Sequence, residues 1–293
     1  MLIRAGYDIR FEADVPTPLM AMLSLHPSRN RDLVTPHRIV ASPDVPIYDY
    51  LDAFGNVCTR MTVPAGGLTL SCDFTIEDDG QPDPVDPDAV QHAVEDLPDE
   101  ILVFLLGSRY CETDRLSETA WSLFGHVPSG WARVQAIVQF THDHIEFGYH
   151  HARATKTAWD AHQEQQGVCR DFAHLAITLC RCMNIPARYC TGYLGDIGIP
   201  PVDAPMDFSA WFDVYLGGRW HTFDARHNQP RIGRILMARG RDATDAALTT
   251  TFGPARLVGF DATPTASTRR LEPAAASVYA CHPAAFVRTP RHH

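Results

Sequence analysis

Lysine is almost absent. Lys156 is the only one in 293 residues, so nearly all the positive charge is arginine. Acids outnumber bases by 35 to 25, for a formal net charge of −10. That balance argues against nucleic acid, whose phosphates need a basic footprint. Long apolar runs are missing too. No stretch approaches the roughly 20 residues needed to cross a bilayer. The first residues, Met1-Leu2-Ile3-Arg4, open straight into an alternating pattern without a signal-peptide core. The expectation is a cytoplasmic protein with neither membrane nor nucleic-acid partners. Cysteine occurs, but the eight residues are irregularly spaced and include no C-x-x-C pair; they are expected to be reduced, buried thiols. Internal repeats and acidic loops with calcium-ligand spacing are not seen.

What is there is globular. Apolar residues make up 45% and charged residues 20% of the chain, enough for a sizeable core in one large or two ordinary domains. Residues 1–80 read as short strands: an alternating run from Tyr7, then Pro18–Leu25, Arg38–Ala41, Ile47–Leu51, Val57–Val63 and Leu68–Ile76, punctuated by Gly55-Asn56 and Gly66-Gly67. Such spacing predicts a β-sandwich. The acidic, proline-rich stretch Asp78–Asp88 marks a domain boundary. A second unit, residues 95–262, begins with helical patterns. One is capped by Thr113 or Asp114, one carries Trp131, Val134, Ile137, Val138 and Ile145, and one runs from Cys169 to Met183. Strands follow at Arg188–Leu194, Phe208–Leu216 and Arg219–Arg226, the last two joined through Gly217-Gly218 as a hairpin. Residues 263–293 are expected to form an extended or disordered tail.

Two constellations carry chemistry. Gly167-Val168-Cys169 sets a cysteine at a helix start, where unpaired N–H groups and the helix dipole favour the thiolate. The bland alternative is a buried cysteine at a helix start. The second constellation is the hairpin itself. A two-residue turn pairs Leu216 with Arg219, and by extension Trp211 with Asp224 and Ser209 with Arg226. Period-2 alternation then puts Ser209, Trp211, Asp224 and Arg226 on one face and turns His221 to the other. His227 has the wrong parity unless the strand's end redirects it. His142 and His144, two apart on a helix, make a poor chelate; with His150 and His151 they read as hydrogen-bonded or solvated side chains. No metal or cofactor is implied.

Four segments occur in order: Gly167-Val168-Cys169, Ile185-Pro186-Ala187-Arg188, Ser209-Ala210-Trp211-Phe212-Asp213-Val214-Tyr215, and Trp220-His221-Thr222-Phe223-Asp224. Together they resemble the transglutaminase-like branch of the papain-type cysteine enzymes across roughly residues 100–260. The resemblance implies an α+β, papain-like transglutaminase core, with a helix-start cysteine packed on an antiparallel sheet, preceded by the N-terminal β-sandwich. It implies Cys169 as nucleophile and Asp224 as the carboxylate that orients the base. At the family's histidine position stands Ser209, and serine cannot accept a thiol proton near neutral pH. His227 is the candidate substitute base. Gln163, six residues before Cys169, has the spacing of an oxyanion-stabilising glutamine. Trp211 and Arg226 are expected to line the cleft.

Two functions follow from this reading. One is a cysteine amidase, peptidase or transamidase that forms a Cys169 thioester on a peptide or protein amide. The other is a non-catalytic binding module that keeps the cleft without the proton chemistry. The missing histidine favours the second; the retained Cys169 and Asp224 favour the first.

Overall fold

The computed structural model describes residues 1–200 and 208–267, with side chains described up to residue 260. Two antiparallel four-stranded sheets form the N-terminal part. The first contains β1 (Leu2–Ala13), and the second contains β2 (Thr17–Ala21). β3 (Val40–Ser42), β4 (Tyr48–Leu51), β5 (Val57–Val63) and β6 (Leu68–Glu77) complete the strands of this segment. Period-2 burial drives the arrangement. Ile3, Ala5, Tyr7, Ile9, Phe11 and Ala13 of β1 are buried, as are Leu68, Leu70, Cys72, Phe74 and Ile76 of β6. They share one core with Leu19, Met61 and Val63 of the other sheet.

The second unit starts with a short α1 (Asp99–Leu102), then α2 (Thr113–Phe124) and α3 (Trp131–His144). A two-residue β7 (Glu146–Phe147) follows, then α4 (Ala158–Glu164), β8 (Gln166–Gly167) and α5 (Cys169–Cys182). α4 begins with a reciprocal capping box, Asp160 N–H to Thr157 Oγ1 and Thr157 N–H to Asp160. Every residue of α5 is buried. α2, α3 and α4 surround it on one side, and β9 (Ala187–Tyr193) and β10 (Ser209–Leu216) cover the other. β11 (Arg219–Phe223) and β12 (Ile235–Gly240) extend this sheet in the order β11-β10-β9-β12. The hairpin has the expected register, Leu216 opposite Arg219 and Phe212 opposite Phe223. Gly217 and Gly218 adopt φ of 56° and 80°, the two positive values a type I′ turn needs.

The last described strands return to the first. β13 (Thr249–Thr251) pairs with β2, and β14 (Ala255–Ser267) pairs along the whole of β1, from Ala255 opposite Ala13 to Ser267 opposite Leu2. The first unit is therefore closed by residues from both ends, and the expected boundary at 262/263 cuts through a strand. Pairing partners about 250 positions apart leave no local trace in the sequence, so only the coordinates reveal this closure. The rest of the expected tail, residues 268–293, lies outside the described residues. The acidic stretch 78–88 is less of a free linker than its composition suggests. Asp83 bonds Arg234 and the Arg231 N–H, and Asp86 bonds Arg219. Among the described residues no helix is long and apolar enough to cross a membrane.

Candidate active site

Cys169 is the first residue of α5, after an extended Val168. The Val168 N–H donates to Asp171 Oδ2 at 3.0 Å. Valine has no side-chain acceptor to return the bond, so only half of a capping box exists here. The helix-start N–H groups and the positive end of the dipole therefore lie at the thiol. Gly167 is required by space, not by a positive φ: a Cβ there would meet Asp171 Cβ at 2.8 Å and Oδ2 at 2.9 Å. Asp171 is itself buried and held by Arg170 at 3.0 Å. Cys169 is only 3% exposed. The strand before it is tied down as well. Lys156, 2% exposed, donates from Nζ to the Gln166 carbonyl at 2.8 Å and pairs with Glu164 at 3.0 Å.

Chain lengths bring the other residues to the same end of the core. α5 has 14 residues and so rises about 21 Å. β9 returns antiparallel over 7 residues, about 23 Å. The end of β9 is thus level with Cys169. There Gly192 pairs with Ser209, the first residue of β10, and β11, antiparallel to β10, delivers Asp224 to this end. Ser209 is buried, and its Oγ has no hydrogen-bond partner among the described residues. Its carbonyl accepts from Thr191 Oγ1 at 3.0 Å.

Asp224 is the most heavily bonded side chain of the group. Oδ1 accepts the backbone N–H groups of Arg226 and His227, both at 3.1 Å. Oδ2 lies 2.9 Å from His227 Nδ1 and 3.0 Å from Arg234 Nη2. A carboxylate only accepts, so His227 Nδ1 carries the proton of that contact. Burial raises the Asp224 pKa, but the charges and hydrogen bonds of His227 and Arg234 outweigh it and hold the carboxyl well below the usual carboxylate range.

His227 reaches Asp224 because β11 stops early. The strand expected to run to Arg226 ends at Phe223, and residues 225–227 form a turn. Parity holds only inside a strand, and the turn swings His227 back over the carboxylate. Asn228, at a φ of 49°, closes the turn with its N–H on the Asp224 carbonyl at 2.8 Å. The expected pairing of Ser209 with Arg226 is lost for the same reason, since the ladder ends at Phe212–Phe223. Arg226 instead stacks over Phe147 at 3.8 Å. Phe147 pairs with Gly167, so the turn reaches the segment that leads into Cys169.

The remaining candidates are placed as follows. His221 bonds the Leu216 carbonyl at 3.2 Å and packs on Trp131, with rings 5.5 Å apart. Trp211 is buried under Arg234, 5.0 Å from its guanidinium carbon. It lines a cavity of about 770 Å³ with Arg231, Arg234 and Asp213. Asp213 binds Arg188, Thr222 and the Cys190 thiol, a framework role. Gln163 is exposed on α4. His142 bonds the carbonyls of Ala225 and Arg226, and His144 donates to the His162 carbonyl. Cys58, Cys72, Cys111, Cys180, Cys182 and Cys190 are buried, free thiols. Among the described residues no histidine, cysteine and carboxylate cluster has the arrangement of a metal site.

Sequence reasoning missed Arg234, which pairs with Asp224, and Asp83, which pairs with Arg234; neither has a local pattern. It also missed the polar side chains of α3 that touch the turn. A signal for those existed, in three polar residues at one-face spacing beside the apolar face of the helix.

Known proteins resemble this chain in sequence and fold. The uncharacterized protein ML0607 of Mycobacterium leprae (strain TN) is 26% identical over 243 residues, spanning 75% of this chain and 81% of that protein. A crystal structure described as a "Putative Cysteine Protease" from Cytophaga hutchinsonii superposes with a TM-score of 0.77 at 28% identity, covering 95% of this chain and 97% of that one. Residues 122–225, which span α3, Cys169, Ser209 and Asp224, match the family described as the transglutaminase-like superfamily. Residues 122–225 thus carry a transglutaminase-like superfamily core, set in an α+β fold like that of the Cytophaga hutchinsonii structure.

Proposed function

We propose that the protein is a cysteine amide hydrolase or acyl transferase in which His227 takes the place of the histidine missing at Ser209. One observation carries this reading: His227 Nδ1 stands 2.9 Å from Asp224 Oδ2. An imidazole held on a buried carboxylate through Nδ1 keeps Nε2 as the basic nitrogen, the tautomer a thiol-activating base requires. Cys169 would give its proton to His227 and attack the amide carbonyl. The C–N bond then breaks, the amine leaves with the proton, and a thioester remains. Water or a second amine resolves the thioester and returns the proton to sulfur. Helix-start N–H groups at Cys169 are the natural stabilisers of the oxyanion. The substrate class is a peptide or protein amide, in keeping with the description of the Cytophaga hutchinsonii relative.

A second reading, a non-catalytic module, draws support from Ser209 and from the slight exposure of Cys169, 3%. Alkylation of Cys169 by iodoacetamide across pH separates the two, with Cys169→Ala as blank. Under the enzymatic reading the wild-type curve lies below that of an ordinary thiol, whose pKa is about 8.5, and His227→Ala moves it up. A wild-type curve that His227→Ala leaves unmoved removes His227 from the mechanism. Cleavage of a mixed protein substrate that survives in Cys169→Ala removes the thioester route itself.

A further inference from the structure

We infer that the polar stripe of α3, Gln135–Gln139–His142, is a positioning device that sets the His227 turn; its catalytic meaning rests on the reading of His227 as the base. The three residues are four and three apart, so they occupy one side of the helix within about 60°. Each touches the turn. His142 Nδ1 lies 3.2 Å from the Ala225 carbonyl and 3.0 Å from the Arg226 carbonyl. Carbonyls only accept, so His142 Nδ1 carries a proton and the tautomer is set by the contact. Gln135 Nε2 donates to Asn228 Oδ1 at 2.9 Å, and Asn228 Nδ2 donates to Gln139 Oε1 at 2.7 Å.

The contacts fall on both sides of His227 and none on its ring. Residues 225 and 226 are held through their carbonyls, residue 228 through its side-chain amide. Imidazole direction is thereby a property of α3 as well as of Asp224. α3 is a suitable rigid reference, because Trp131, Val134, Ile137, Val138 and Thr141 anchor the adjoining face in the core. Gln135 and Gln139 themselves are exposed. Surface glutamines of this kind usually affect stability little, so an effect of their removal on His227 is a specific signature.

The test uses the full chain with ¹⁵N-labelled histidine and reads the His227 Nδ1 proton on Asp224, assigned by its loss in His227→Gln. In the wild type this proton is expected to be protected from exchange. It broadens or disappears in His142→Phe and in the double variant Gln135→Ala/Gln139→Ala. His142→Asn, whose Nδ2–H lies near the position of Nδ1–H, restores it. The Cys169 alkylation curve moves up by about one pH unit in the same variants, roughly tenfold less labelling at a pH below the thiol pKa. If His142→Phe does not fold, the double glutamine variant carries the test. A proton signal unchanged in the double variant and in any folded His142→Phe overturns the clamp. Loss of the proton with an unmoved alkylation curve upholds the clamp and instead defeats His227 as the base.

Discussion

Arg234 and His227 bind the same oxygen of Asp224, at 3.0 and 2.9 Å. The arginine is also bonded through Nε to Asp83 at 2.8 and 3.1 Å, so the ion pair is buried and supported from behind. Arg234→Met leaves Asp224 with the imidazole of His227 as its side-chain hydrogen-bond partner. Breaking one side of a buried pair costs about 3–5 kcal/mol, and that is the loss expected in urea unfolding. A loss under about 1 kcal/mol would sink this account of the pair. The sign for pH follows from the depressed carboxyl. Asp224 contributes its stability fully above the ordinary carboxylate range and loses it only as pH falls through its lower folded pKa. It therefore plays no part in any weakening between pH 7 and 5.

If His227 is the base as proposed, a histidine at position 209 would serve the same task, which predicts a dependence between the two positions. Ser209→His alone should leave the Cys169 alkylation curve close to wild type, because a base is already present. In the His227→Ala background the same substitution should move the curve back down. Ser209 is 3% exposed, so the larger ring costs about 1–3 kcal/mol of stability, checked by thermal melting. Equal shifts in both backgrounds would mean that the two positions do not serve one thiol.

His26 sets a different pH dependence. Its Nδ1 accepts the Ser28 N–H at 3.2 Å, and burial, with Arg239 nearby, pushes its pKa down to about 4 from 6.5. The unfolded chain binds a proton that the fold refuses between these values. Stability is thus full above about 6.5, falls as pH drops, and levels off near 4, a loss of about 3 kcal/mol from this residue. His37, also lowered to about 4 by burial, adds to the trend. His26→Asn keeps a cap acceptor and removes the titration, so its urea midpoint should change less than wild type between pH 7 and 4.5. Parallel midpoints for the two proteins would refute the assignment.

Gln163 had the spacing of an oxyanion donor, yet it is exposed on α4 while Cys169 is buried. Gln163→Ala is expected to leave alkylation and any amide cleavage within about twofold, the small effect of a surface change. A drop of roughly 10²-fold, typical of a lost oxyanion donor, would restore Gln163 to the site.

The hairpin was legible because its signals are local. Gly217-Gly218 set the turn, and the turn set the register from Leu216 opposite Arg219 to Phe212 opposite Phe223. Cys169 at a helix start was legible for the same reason. His227 was not, because strand parity extends only as far as the strand, and nothing in Phe223-Asp224-Ala225-Arg226 announces where pairing stops. Arg234 and Asp83 were invisible because an ion pair between positions 83, 224 and 234 is decided by packing. The closure of the first sheet by β14 was hidden likewise: its alternation is ordinary, and its partner lies at the other end of the chain.

Lys156 gives the molecule an unusual reactivity profile. Its amine is 2% exposed and engaged by Gln166 and Glu164, and it is the only lysine. The folded surface therefore offers no lysine to an acylating reagent. Under the acyl-transfer reading proposed above, copies of the folded chain would be poor lysine acceptors for one another. In the laboratory the same feature makes acetylation of Lys156 a reporter: the label enters only when the junction between α4 and β8 opens, immediately ahead of Cys169.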